Sequence, residues 1–206
     1  MKKIVPILLT MIFACGFVAA QDKIELLSGR IRTGVIDHET DTYIYYSKKG
    51  KGLKSRVNKE RVFRVMKSVG DTVYVYKQDT LLEDDYSIEQ IEKHIAGQKE
   101  ARKYYKPWKT GVGAFVIGGA GGVLPFFYAF IPSSLYATLV GTWHMDESNF
   151  IASDETLLSD EYFVNGYELA ARGKKLKYTL IGSVAGITTG MIIMYIINPY
   201  RGPSTW

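Results

Sequence analysis

Apolar and polar residues alternate with a period of two through residues 23–77. Ile24 and Leu26, Ile31, Thr33 and Val35, Tyr43 and Tyr45, Val57, Val62, Phe63 and Val65, and Val73 and Val75 lie on short runs rich in β-branched and aromatic residues. Ser28 and Gly29, residues 37–41, residues 48–52, and Gly70 with Asp71 punctuate these runs. Five or six short strands at about ten-residue spacing predict a small antiparallel barrel, SH3-like in size, over residues 21–82. The period then changes. Ser87 reads as an N-cap with Gln90 three positions on, the pattern of a capping box. A helix through Ile88, Ile91 and Ile95 is predicted to run towards Tyr105, where Pro107 interrupts it. Residues 87–109 thus form a basic amphipathic helix ending in a collar of Lys99, Arg102, Lys103, Lys106 and Lys109.

Beyond the collar, charge disappears. Residues 110–145 carry none, a stretch too long for one simple helix and short for two full spans. Residues 111–131 alone would cross a bilayer of ~30 Å, with Pro125 kinking the helix and Pro132 ending or turning it. The first membrane segment is therefore placed at 110–141, as a span or as a re-entrant pair. An acidic loop or helix follows at 142–171, with Asp146, Glu147, Asp154, Glu155, Asp160, Glu161 and Glu168 and no Lys or Arg. The second collar is Arg172, Lys174, Lys175 and Lys177. It opens the segment 172–198, whose uncharged residues 178–197 have the length of one span before Asn198 and Pro199 stop it; residues 199–206 are a tail.

Glycine spacing adds a packing argument. Gly182, Gly186 and Gly190 recur every four residues on one helix face, and Gly118 with Gly122 gives the first segment a matching unit. Lipid offers little hydrophobic drive between helices, so small residues that admit close backbone contact supply the packing, within the chain or between copies. A buried helical hairpin of a soluble protein is the competing reading; the length and basic flanks count against it.

The chain also overlays on itself at an offset of 69. Gly97 falls on Gly166, Ala101 on Ala170, Lys106 on Lys175, Thr110 on Thr179, Gly113 on Gly182 and Gly121 on Gly190. Each unit reads as amphipathic helix, basic collar and glycine-rich apolar helix. If the units are parallel, both collars share one side and residues 111–145 go in and come back. If they are inverted, the first segment crosses and the second returns.

The first residues, MKKIVPILLTMIFACGFVAAQ, carry a basic start at Lys2 and Lys3, a short apolar core and small residues before Gln21. Residues 1–20 are expected to be an export signal. Cys15 is the chain's one cysteine and sits in a poor lipobox, so a chain cut before Gln21 has none. An oxidising envelope compartment suits that composition.

Of the 206 residues, 47% are apolar and 23% charged, with a formal net charge of +5, which excludes a disordered or fibrous chain. Lys48, Lys49, Lys51, Lys54, Arg56, Lys59, Arg61 and Arg64 make a basic hairpin. An anionic partner is one reading; a solvated hairpin whose lysines discourage edge pairing is preferred. The export signal argues against nucleic acid. His38, His94 and His144 stand in no metal-ligand spacing. Gly111 and Gly113 lack the strand before and the Lys-Thr after that a phosphate loop needs. The acidic pairs lack the turn glycine of a calcium loop. No catalytic, cofactor-binding or metal residue is assigned, and no cofactor is expected.

The opening DKIELLSGRIRTGVIDHETDTYIYY resembles the small β module that begins many exported proteins of Bacteroidota. GQKEARKYYKPW together with FVNGYELAARGKKLKYTLIGSVAGITTG is similar to an uncharacterised exported envelope family of those bacteria. The resemblance implies location and architecture, and no activity. The expectation is an α+β membrane protein: an SH3-like β module, a helix and two glycine-rich transmembrane helices. Its expected role is that of a non-enzymatic accessory or scaffold subunit. Its partners would be membrane lipid and a protein, or a second copy, met through the glycines. The β module would dock a periplasmic partner. A transport or pore component is one alternative; it would need polar residues facing inward within the membrane, for which Ser183, Thr188 and Thr189 are the candidates in the second span. A membrane enzyme acting on lipid or glycan is another, and it would rest on His144, Asp146 and Glu147.

Overall fold

The computed structural model describes residues 21–48, 54–78, 86–124, 126–142 and 150–197. The chain divides into two units, Met1–Asp85 and Tyr86–Trp206. Residues 1–20, expected to be an export signal and containing Cys15, together with Lys49, Lys51, Pro125, Trp143, His144, Asp146, Glu147 and the tail from Asn198, lie outside the described residues.

The first unit is a six-stranded antiparallel sheet: β1 (Asp22–Leu26), β2 (Ile31–Glu39), β3 (Tyr43–Ser47), β4 (Lys54–Asn58), β5 (Val62–Met66) and β6 (Thr72–Tyr74). The strand order is β4-β3-β2-β1-β5-β6. β2 is long enough to serve two partners. Its first half pairs with β1 and its second half with β3, and the register shifts between Ile36 and His38. Gly34 stands where β2 changes partner. A Cβ there would meet the Ser47 carbonyl oxygen at 2.5 Å, so no larger residue fits. Alternation holds in β3 but on the other face from the one picked out in the sequence: Ile44 and Tyr46 are buried while Tyr43 and Tyr45 are half-buried, and in β2 Ile31 and Val35 are exposed. The core holds Ile24, Leu26, Ile44, Tyr46, Val62 and Val65. A 3₁₀ turn, Lys59–Arg61, joins β4 to β5, and the Asn58 side chain accepts from the Glu60 amide. Asp22 stitches two strand ends together, accepting from the Ser68 amide at 2.9 Å and the Ile36 amide at 3.2 Å.

The second unit contains α1 (Ile88–Tyr104), α2 (Trp108–Gly121), α3 (Phe126–Thr142) and α4 (Glu161–Ile197). The capping box at the start of α1 forms: the Gln90 amide donates to Ser87 Oγ at 3.3 Å, and the Ser87 amide to Gln90 Oε1 at 2.8 Å. α1 stops at Tyr105 and α2 starts after Pro107, which has no amide to carry the helix on. α4 runs unbroken for 37 residues, about 55 Å, through the second collar. Asp160 caps its start, accepting from the Tyr162 and Phe163 amides.

Two boundaries differ from the sequence expectation. The first apolar segment is not one helix kinked at Pro125. α2 ends at Gly121, and α3 folds back antiparallel against it, with Gly121 beside Ala129 and Gly113 beside Tyr136. Pro132 neither ends nor turns the chain; it lies inside α3. Near it the Ser134 hydroxyl donates back to the Phe130 and Ile131 carbonyls of its own helix. Residues 172–198 are likewise not a separate element but the continuation of the helix that begins at Glu161.

α1 and α2 lie end to end along α4, both parallel to it. His94 meets Gly166, Tyr105 meets Lys174, Gly111 meets Gly182, Phe115 meets Gly186 and Gly119 meets Gly190. Partners advance together along both helices, close to the 69-residue separation of Tyr105 and Lys174. The two overlaid units therefore pack as parallel neighbours, and both collars stand at one level.

Candidate functional site: a glycine seam and its basic girdle

Backbone meets backbone along the α2–α4 seam because glycine removes the side chains between them. A Cβ on Gly118 would lie 2.6 Å from the Ser183 carbonyl oxygen, and one on Gly122 2.5 Å from that of Ile187. A Cβ on Gly182, Gly186 or Gly190 would strike the carbonyl of Gly111, Phe115 or Gly119 respectively. Every glycine singled out in the sequence for packing thus faces the other apolar helix of the same chain. The sequence reading missed a second contact of this kind. Gly97 of α1 fits against Phe163 and Tyr167, and Gly166 of α4 against His94. Its signal was the overlay of Gly97 on Gly166, taken there as a mark of the repeat and not as a packing site.

The apolar bundle is sorted opposite to a water-soluble core. Apart from Ile187, its buried positions are small or hydroxylic, among them Ala114, Ala129, Ser133, Thr179, Gly182 and Ser183. Its exposed positions are large and apolar, among them Val116, Ile131, Leu135, Ile181, Val184 and Ile196. α4 is long and apolar enough to cross a membrane by length and composition. Its outward hydroxyls turn back onto their own helix. Thr188 donates to Val184 and Thr189 to Ala185, both at 2.8 Å, so neither is aimed at a polar path.

At the base of this bundle the two collars interlock. The Lys174 ammonium donates to the carbonyls of Arg102 and Tyr105, the last turn of α1, and so occupies acceptors that the helix end leaves open. Burial pushes the Lys174 ammonium down, and the neighbouring charges of Lys106, Arg102 and Lys177 push the same way. Burial also lowers Lys175. Arg172 pairs with Glu168 one turn before it at 2.6 Å. Arg102 donates to Gln98 at 3.2 Å. Lys99 is partly buried. Lys103, Lys106, Lys109 and Lys177 are exposed; Lys103 lies over Tyr104 and Lys109 over Trp108.

Below the girdle the acidic segment folds onto α1. Phe150, Phe163 and Tyr167 pack with Ala101 and Ala171. The Ile151 amide donates to the Tyr167 hydroxyl, and the Ser153 amide to Glu100. Three of the described carboxylates are used structurally. Asp154 caps a 3₁₀ turn, Asp160 caps α4 and pairs with Lys93 at 2.9 Å, and Glu168 holds Arg172. Among the described residues, no group of three or more His, Cys, Asp or Glu side chains could hold a metal ion. Burial lowers the His94 imidazole, which packs edge-on to Tyr86.

In the β unit the described part of the basic hairpin is largely engaged. Arg56 lies over the Tyr43 ring, Lys59 pairs with Glu39 at 3.1 Å, and Arg64 pairs at 2.6 Å with the fully buried Glu25. His38 stacks on Tyr45. This is the pattern of a sheet whose cations serve its own surface. Comparison with protein-family models, curated proteins and solved structures finds no match to the chain.

Proposed function

We propose that this chain is a non-enzymatic membrane protein of a bacterial envelope, an accessory or scaffold subunit. It would be held in the bilayer by α2, α3 and the C-terminal half of α4. The observation that carries this reading is the inverted sorting of the bundle: small residues inside, large apolar ones outside, and no charge in residues 110–145 or 178–197. In water such an exposed surface would be a liability; in lipid it is the solvent-facing surface, and glycine contacts replace the hydrophobic drive. α2 enters, α3 returns and α4 enters again, which refines the two-span expectation into a hairpin plus one span. The β unit then lies on the side of α1, since residues 79–85 hold no stretch able to cross. Its shared strand β2 and the 3₁₀ turn before β5 favour an SH3-like partial barrel, and this unit docks a protein partner on that side. With the export signal and the resemblance to the Bacteroidota family, that side is the periplasm. The glycine seam is occupied within the chain, so a partner helix or a second copy would meet other faces of the bundle.

Two measurements test the reading. The protein should stay with membranes through alkaline carbonate extraction; release without detergent would overturn membrane insertion. In a Cys15→Ser background, Ser47→Cys and Ser153→Cys should react with an impermeant thiol reagent from one side and Ser204→Cys from the other. Labelling of Ser47→Cys and Ser153→Cys from opposite sides would refute the hairpin.

A further inference from the structure

The sequence places two basic collars far apart in the chain, and the fold puts them at one level. Lys174 fixes that level by donating to the Arg102 and Tyr105 carbonyls. One ammonium is thereby turned inward, while Lys106, Lys109 and Lys177 remain exposed. Among the described residues none of these three forms an ion pair with a carboxylate, whereas Arg172 and Lys93, nearer the acidic segment, do. The girdle is therefore a concentration of like charge that no described carboxylate pairs with at Lys106, Lys109 or Lys177. Its position is specific. On one side of it α2 and α4 carry no charge; on the other, α1 and the first half of α4 are polar. Trp108, 60% exposed, and Tyr178, 39% exposed, stand at the same boundary. Amphipathic aromatic rings favour the headgroup depth of a bilayer, where they present an apolar body and a polar edge.

From this juxtaposition we infer that the girdle of Lys103, Lys106, Lys109 and Lys177 is a binding surface for anionic phospholipid headgroups of one leaflet. The inference rests on the membrane reading above and adds the ligand. Phosphate oxygens supply acceptors for the exposed ammonium groups of Lys106, Lys109 and Lys177, with Lys103, held at Tyr104, adding to the positive field, and a net negative headgroup is favoured over a zwitterionic one. Trp108 reports on the site from within it.

The test uses the full chain with Trp143→Phe and Trp206→Phe, which leaves Trp108 alone of three tryptophans. The protein is reconstituted into phosphatidylcholine vesicles containing a fixed fraction of chain-brominated lipid, either phosphatidylglycerol or phosphatidylcholine. Brominated phosphatidylglycerol should quench Trp108 more strongly, with a relative binding constant on the order of five-fold. The preference should vanish in the Lys106→Gln, Lys109→Gln, Lys177→Gln variant and shrink in high salt. Circular dichroism of that variant checks its helices; if they are lost, Lys177→Gln alone should give a partial reduction. Equal quenching by the two lipids, or a preference that survives neutralisation, overturns the girdle while leaving insertion intact. No quenching by either lipid overturns insertion itself. Loss of the preference on adding millimolar inorganic phosphate assigns the site to free phosphate and overturns the lipid ligand.

Discussion

Adding one methyl group at Gly186 should separate two helices. An ideal Cβ there strikes the Phe115 carbonyl oxygen and lies 2.8 Å from the Gly119 amide nitrogen, where ordinary contact is 3.4–4 Å. Both neighbours are helical backbone and cannot swing aside, so α2 must retreat from α4 by on the order of 1 Å. A gap of that size forfeits about a quarter to a half of the dispersion energy at each contact it opens. The seam is one continuous contact from Gly111 to Gly190, so the loss is shared by neighbouring pairs. Overpacking of this kind costs about 1–3 kcal/mol, set against a gain of up to about 1 kcal/mol for replacing a helical glycine by alanine. The same helix supplies its own control. Gly173 has nothing within 4 Å of an added Cβ, and Gly141 of α3 is equally open. Gly173→Ala should therefore be neutral or stabilising by up to about 1 kcal/mol. The two α4 variants should differ by about 2 kcal/mol in reversible unfolding in mixed micelles, followed by circular dichroism. If Gly186→Ala proves as stable as Gly173→Ala, the seam is not close-packed and the parallel pairing of α2 with α4 is wrong.

Other perturbations read out different parts of the chain. Glu25 is fully buried and meets Arg64 at 2.6 Å, so Glu25→Ala should destabilise the β unit by about 2–3 kcal/mol, less than a fully buried pair because Arg64 is partly exposed; hydrogen exchange at Ile24 and Val65 would show it, and unchanged protection would refute it. Asp22 is held below the usual carboxylate range: desolvation opposes the shift, but the Ser68 and Ile36 amides outweigh it. Because its folded value is depressed, its contribution is complete above the ordinary carboxylate value and lost as pH falls through the lowered one. Asp22→Asn should flatten the acid limb of the β unit's stability, and an unaltered limb would show the stitch to be inert. Lys174→Met removes both donors to the end of α1, and amide exchange at Tyr105 and Lys106 should accelerate; equal exchange in the variant would mean that the interlock does not hold the α1–α2 junction.

Much of the β unit was legible because a half-buried strand writes its period into the sequence. The strands themselves were legible, but not always their buried face: in the run Tyr43, Ile44, Tyr45, Tyr46 every side chain is apolar or aromatic, and the pair picked out, Tyr43 and Tyr45, is the less buried one. Ser87 and Gln90 likewise announced a helix start that forms. The apolar half was harder to read, for a physical reason. In residues 110–145 no polar face marks which side of a helix is buried, so periodicity carries little, and proline becomes the main punctuation. Pro132 misled because a proline removes a single i−4 hydrogen bond, which a helix packed against neighbouring helices tolerates, so it lies inside α3 without ending it. The continuity of α4 through Gly166 and Gly173 was also hidden. Gly166 is there for contact with His94, not to break the helix.

Whether the repeat is parallel or inverted could not be decided from hydropathy, since both arrangements give the same pattern; contacts decide it. Gly97 packs against Phe163, and Gly166 packs against His94. Shifted by the overlay offset, Gly97 becomes Gly166 and His94 becomes Phe163, so one contact is the image of the other. Reciprocity of that form is the mark of a two-fold axis, here lying along the helices and relating two halves of one chain as it would two subunits of a dimer. An inverted pair would make residue numbers run in opposite directions, and they do not. The symmetry is also incomplete in an informative way. The first unit is followed by α3, which brings the chain back, while α4 is followed only by the short tail from Asn198. In a bilayer, a parallel pair of helices within one chain requires such a return between its members. The return helix α3 therefore stands outside the two-fold relation.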